Sequence, residues 1–378
     1  MAKKLILLLL VAALIAPASG CVSVFEKEYF SATKYEDEEV EIPASTDGAV
    51  EVGNYFRLKL EISRMVSDHR DTGTLDFREY DGNIYDDIAA ACKEVSANTA
   101  LGAYCVDYIS YDVDRIVAYY EANIYISYKR TVEETSAIIT ISTSDSLEKH
   151  VRNTLSELRT NLVVLVNASM ISGEEAAGYV DTVCREDPLL CVNKPDVTVN
   201  VYSGNGLQKI YEYQLDYGDR KEALLEKREV LSTAVSELAE EITAEGDAYR
   251  ALQAASLMIS RCVSDEVAGN TAYSALVDGA ADSEGIAMAY RAVCTALGIP
   301  SRIAAGRLHA EQHYWNMIEV DGHWYHADIS RAMEDGLAQT FLLNDSYMWG
   351  RYWWDTELYP VCDGRLTYNA IIAAQQNP

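Results

Sequence analysis

The first apolar feature of the chain is an unbroken run from Leu5 to Ala16. A bilayer-spanning helix takes about 20 apolar residues, so this run is too short to be one. Residues 22–50 are rich in Glu, Asp, Ser and Thr and read as a solvated spacer, with a short strand at "EVEIP". From about residue 51 the period changes repeatedly. "TLDFREY" predicts a strand and "DDIAAACKEVSAN" a helix, and the alternation in "CVDYISYDVDRIVAYYEANIYISYKR" predicts paired strands. The pattern then recurs. "SAIITIST" predicts a strand, and "SDSLEKHVRNTLSEL" and "SGEEAAGYVDTVC" predict helices. "CVNKPDVTVNVYSGNGLQKIYEYQLDYGDR" closes the pass as a hairpin whose turn is signalled by "SGNG". Cys105 and Cys191 hold matching places in the two passes. Residues 51–220 are therefore expected to form one duplicated α/β domain of two β-α-β-β units. With no histidine or carboxylate cluster, it reads as a scaffold or binding domain.

Helical period dominates next. Residues 221–245 are expected to form a connector helix, with an apolar stripe of Leu224, Val230, Leu231, Val235 and Leu238. The last domain, 246–378, opens with a helix in "DAYRALQAASLMISRCV". From Ser283 onward, Ile286, Ala287, Tyr290, Val293, Cys294 and Leu297 share one helical stripe with the serine. "GIP" ends that helix. "SRIAAGRL" predicts a strand, and "HYWNMIEV" and "HWYHADIS" predict two more, joined at "DGH". The fold class expected for the whole chain is α+β.

Composition sharpens this picture. The formal charge of −28 disfavours nucleic acid and anionic lipid headgroups as partners. Beyond Cys21 seven cysteines remain, an odd number, and their pairing cannot be read from spacing. No CxxC and no Cys/His cluster occurs, so neither a metal nor a cofactor is expected. His323 and His326 could approach an ion together with Asp328, but no second-site pattern supports one. Cys294, eleven residues past Ser283, reads as a core residue, as does the aromatic run "WGRYWWD". At the start of the chain, Lys3 and Lys4 precede the apolar run, and small residues end it at "ASGC". Residues 1–20 thus read as a secretory signal. The sequence before Cys21 resembles the lipobox of bacterial lipoproteins, apart from Ala18 where leucine is usual. That resemblance implies cleavage before Cys21, a diacylglyceryl thioether on its sulfur, and an extracytoplasmic protein held to the cell membrane by lipid.

The last domain carries the candidate chemistry. A helix N-terminus offers unpaired N–H groups and positive potential, so it can activate a nucleophile and catch an oxyanion. Ser283 stands there. His313 starts one neighbouring strand and can take a proton. Asp328 ends the next and can orient the imidazole. Residues 246–365 resemble transglutaminase-like domains, the papain-related fold of transglutaminases and bacterial peptidases. The matching text is "TAYSALVDGAADSEGIAMAYRAVCTALGIPSRIAAGRL" followed by "HYWNMIEVDGHWYHADIS". The family pattern puts a nucleophilic cysteine where this chain has Ser283. The resemblance implies Ser283, His313 and Asp328 as the triad, with Trp315, Asn316 and Tyr273 as supporting residues. Two functions follow as expectations. One is a weakly active or inactive module that binds peptide or cell-wall strands. The other is a Ser-His-Asp peptidase, amidase or acyl transferase.

Overall fold

The computed structural model describes residues 46–167 and 171–376. The leader, Cys21, the strand expected at "EVEIP" and nearly all of the acidic spacer lie outside the described residues. Most of the longer helices start at a side chain that accepts one of the first free N–H groups. Asn54, Asn83, Thr143 and Asp282 do so singly, while Thr131 and Ser172 form reciprocal capping boxes with Glu134 and Glu175.

The first pass runs β1 (Val50–Glu51), α1 (Tyr55–Ser67), β2 (Thr72–Asp76), α2 (Ile84–Asn98), α3 (Ala100–Cys105), β3 (Val106–Ile116) and β4 (Tyr119–Tyr128). The second runs α4 (Val132–Ser136), β5 (Ile139–Ile141), α5 (Ser144–Ser156), β6 (Asn161–Val166), α6 (Gly173–Glu186), β7 (Asp196–Ser203) and β8 (Lys209–Asp216). Their sheets have the same order, β1-β2-β4-β3 and β5-β6-β8-β7. In each, the first two strands are parallel and the rest antiparallel. Apart from the short helices α3 and α4, each pass is therefore β-α-β-α-β-β; the first has one strand and one helix, and the second one strand, more than the pattern alone indicates. The helix α1 escapes notice because Arg57, Lys59, Glu61 and Arg64 interrupt its buried stripe of Leu58, Ile62, Met65 and Val66. The strand β6, "NLVVLV", is a continuous apolar run with no period to read.

A disulfide between Cys184 and Cys191 ties the end of α6 to the segment before β7. Cys92, Cys105, Cys262, Cys294 and Cys362 are buried free thiols. Burial pushes the Cys294 thiol up to about 12, which fits a core residue rather than a reactive one.

The last part contains α7 (Lys221–Glu240), α8 (Asp247–Arg261), β9 (Val263–Ser264), a π-helical turn at Ser274–Asp278, β10 (Ala280–Ala281) and α9 (Ser283–Ala296). Then come β11 (Ser301–Leu308), β12 (Glu311–Val320), β13 (His323–Ala327), α10 (Ile329–Asp335), α11 (Leu337–Thr340), β14 (Phe341–Leu343), α12 (Asp345–Met348), β15 (Tyr352–Trp354) and α13 (Tyr368–Gln376). The strands make an antiparallel sheet of order β14-β13-β12-β11-β15. Its β12–β13 turn is Asp321–Gly322, both with positive φ, as a two-residue type I′ hairpin requires.

One apolar core runs from Ile141 to Ile371, so the second sheet, α7, α8, α9 and one face of the antiparallel sheet share it. The core is not divided at residue 220. The helix α7 is part of it through Leu224, Leu231, Val235 and Leu238, whereas Val230 is 42% exposed and lies off the stripe. The first sheet has a further core, to which Val163 of β6 and Ile210 of β8 also contribute. The opposite face of the antiparallel sheet buries Trp315, Met317 and Trp354.

Candidate active site

The helix α9 is buried nearly all round, from Ser283 to Cys294. Asp282 caps it, accepting the Gly285 N–H at 2.9 Å, so Ser283 is its first residue. Gly285 has no room for a Cβ, which would stand 2.8 Å from Ala281 Cβ and 2.9 Å from Thr271 backbone atoms. That contact fixes how closely the start of the helix approaches the Thr271 loop. Ser283 is only 4% exposed, and its Oγ receives the Tyr314 backbone N–H at 3.4 Å, a long bond.

His313 lies on β12 opposite Gly306, and its Nε2 meets Asp328 Oδ2 at 2.7 Å. Asp328 caps α10. Its Oδ1 accepts from the Arg331 N–H at 3.0 Å and from Ser330 Oγ at 2.9 Å, and its Oδ2 also accepts from Tyr352 Oη at 2.8 Å. Burial would raise the Asp328 carboxyl, but these donors, His313 first among them, outweigh it and hold the carboxyl below its usual range. An ionised Asp328 accepts from Nε2–H, which leaves Nδ1 as the imidazole's proton acceptor. The Tyr352 hydroxyl is raised in turn by burial and by that carboxylate. Ser283, His313 and Asp328 are thus brought to one place by α9, β12 and the end of β13. Among the described residues no hydrogen bond joins Ser283 Oγ to the His313 ring.

Residues 236–329 match the family model described as the transglutaminase-like superfamily. This chain carries a transglutaminase-like domain. Solved structures to which the chain shows some similarity include "a TGase", at 11% identity and TM-score 0.26, covering 55% of this chain and 60% of that one. Another is "a Putative Cysteine Protease from Cytophaga hutchinsonii", at 15% identity and TM-score 0.25, covering 36% of this chain and 62% of that one. Both superpositions are loose, and the chain spans about three fifths of the length of either protein. Comparison with curated proteins finds no match.

The supporting residues of the transglutaminase-like domain fall in two groups. Trp315 and Asn316 are fully buried beside the site. The Asn316 amide donates to the Ala287 carbonyl at 2.8 Å and so pins β12 to α9. Trp315 Nε1 donates to His326 Nδ1 at 2.9 Å, and His326 Nε2 meets Asp345 Oδ1 at 2.9 Å. Tyr273 stands apart. Its ring lies under Lys227 Nζ at 5.5 Å, and it makes no hydrogen bond to the triad among the described residues. Tyr352, in the run read as core, holds Asp328 instead; the sequence gives no signal that its hydroxyl is aimed there.

Two further findings concern ions and charges. His326, Asp345 and Cys362 lie close enough to suggest a metal cluster. Their donor chemistry does not fit one. Indole N–H is only a donor, so His326 Nδ1 is the bare nitrogen and Nε2 carries the hydrogen aimed at Asp345. Burial also pushes the Cys362 thiol up, keeping it protonated. His323 is on the hairpin turn near Asp363, away from Asp328. The second finding is Glu284, buried next to Ser283. It pairs with Arg185 Nη1 at 3.0 Å and Lys194 Nζ at 3.0 Å, one from each side of the disulfide. Residues far upstream are thereby tied to the start of α9.

Proposed function

We propose that the transglutaminase-like domain of this chain is a peptide-binding module with little or no acyl-transfer activity, held to the outer face of a bacterial membrane by lipid on Cys21. One observation carries the loss of activity: Ser283 Oγ is engaged by the Tyr314 N–H and not by the imidazole. The family pattern has a cysteine at this position. A thiol there would be ionised by the helix N-terminus and the histidine, and would need no proton transfer during attack. A serine hydroxyl must give up its proton to His313 as it attacks. Its oxygen is also smaller than sulfur, so a site shaped for a thiol leaves it short of the base.

The runner-up reading is a Ser-His-Asp hydrolase, favoured by the retained 2.7 Å His313–Asp328 bond and the Tyr352 hydroxyl behind it. In that case Ser283 Oγ attacks a peptide or amide carbonyl while His313 Nδ1 takes its proton. The amides at the start of α9 hold the oxyanion. His313 then protonates the leaving amine, and water releases the acyl group by the same steps in reverse order. Turnover of a peptide amide by the wild type and by Ser283→Cys separates the two. The module reading expects no wild-type turnover and a gain in Ser283→Cys that depends on His313. Wild-type turnover abolished by both Ser283→Ala and His313→Ala would contradict it.

A further inference from the structure

The strand β11 is covered on its outer side by β15 only over Gly306–Leu308, so Ser301 to Ala305 form an open edge. In an antiparallel ladder alternate residues turn N–H and C=O to the same side. The Ala305 N–H goes outward to Tyr359 Oη at 3.0 Å, and the Ser301 carbonyl goes outward to the Arg291 guanidinium. Ile303 lies between them in the same alternation. Its N–H and C=O therefore both face away from β12, where an incoming strand would find them.

A groove of about 990 Å³ runs along this edge, with α6 as its facing wall and Trp324 and Leu358 on the far side. Its charge is opposite to that of the molecule. The chain carries −28, yet Arg185, Arg291 and Arg302 line the groove against one carboxylate, Glu186. Glu186 is already paired with Arg152, and Arg185 with Glu284. Arg291 bonds the backbone carbonyls of Glu186 and Ser301. Arg302 lies over the Trp324 ring at 5.9 Å and has no carboxylate partner among the described residues. Glu186 and Asp187 lie near Arg291, so Arg302 is the guanidinium left without a carboxylate partner beside the unpaired strand edge.

We infer that this groove binds an acidic peptide in extended form, added as a strand to the open edge of β11. Ile303 supplies the main-chain hydrogen bonds and Arg302 takes the peptide's carboxylates. Strand addition gives affinity through the backbone and selectivity through alternate side chains. Guanidinium groups suit carboxylates because the fork is planar and bidentate. Ala305, in the groove lining, is paired with Tyr314, whose N–H meets Ser283 Oγ. The inference rests on the peptide-binding reading above and gives that binding a place and a ligand chemistry.

Fluorescence polarisation on the full chain tests it, using a labelled alternating Val–Glu hexapeptide and its Val–Lys counterpart at low salt. The Val–Glu peptide is expected to bind and the Val–Lys peptide not. Arg302→Glu, an exposed change, should weaken binding at least tenfold, and Ile303→Pro should do the same by removing the edge N–H. Added salt should weaken binding as it screens the arginines. Equal binding of the two peptides, no binding of either, or an unchanged Kd in Arg302→Glu would overturn the inference. Binding that survives Arg302→Glu and is lost in His313→Ala would put the peptide in the cleft, sinking the groove and sparing the module reading. Ser283-dependent hydrolysis alongside Arg302-dependent binding would do the reverse.

Discussion

Asp328 is the most constrained side chain of the site, with four donors on two buried oxygens. Removing it leaves a buried imidazole and two hydroxyls without their acceptor. Asp328→Ala is expected to cost about 3 kcal/mol in chemical denaturation. Tyr352→Phe should cost about 2 kcal/mol, the order of one buried hydrogen bond to a charged group. A loss below a few tenths for Asp328→Ala would show that the carboxylate is not held as described. The folded carboxyl sits below its ordinary value, so its stabilisation is present above about pH 3.9 and fades as pH falls toward the folded value. The placement of Ser283, His313 and Asp328 near one another was legible because each sits near the end of a regular element whose period and turn are clear. Tyr352 and Ser330 were not, since a hydroxyl's aim depends on how β15 and α10 pack, and no local pattern records that.

At the scale of elements, the end of α6 and the loop after it determine what faces the nucleophile position. The Cys184–Cys191 bridge closes a short loop, with a sequence separation of 7, that carries Arg185 and leads directly to Lys194. Its removal in a Cys184→Ala/Cys191→Ala chain is expected to cost roughly 2–3 kcal/mol. It should also speed hydrogen exchange in residues 185–194, read by mass spectrometry; unchanged exchange there would contradict the tie. His326 provides a second test. Burial holds its ring below the usual value of about 6.5, with Asp345 opposing. The unfolded chain therefore takes that proton first, so stability should fall as pH drops below about 6.5. Thermal melts across pH 7 to 5 should show this slope reduced in His326→Gln. The pairing of Trp315 with His326 could not be read from sequence, because the two are diagonal rather than opposite on β12 and β13, and whether they meet depends on how each side chain leans.

Across the whole molecule, the repeat of strand order was visible as recurring periods, but the partition of the core was not. Two similar passes suggest one domain, and the first core does take in Val163 and Ile210 of the second sheet, but the other face of that sheet shares its core with the transglutaminase-like domain. Sequence periodicity reports which face of an element is apolar and says nothing of which neighbour covers it. No helix among the described residues is long and apolar enough to cross a membrane. The proposed anchor at Cys21 predicts that the chain, expressed with its leader in a bacterium, pellets with membranes, and that Cys21→Ala releases it. A soluble wild type would rule out the lipid. The central claim, that Ser283 is not a working nucleophile, is tested most directly by intact-mass measurement after exposure of the folded protein to an alkyl fluorophosphonate. The account predicts no adduct on the wild type under conditions that label a serine hydrolase control to completion. A single adduct that maps to Ser283 and disappears in His313→Ala would contradict it.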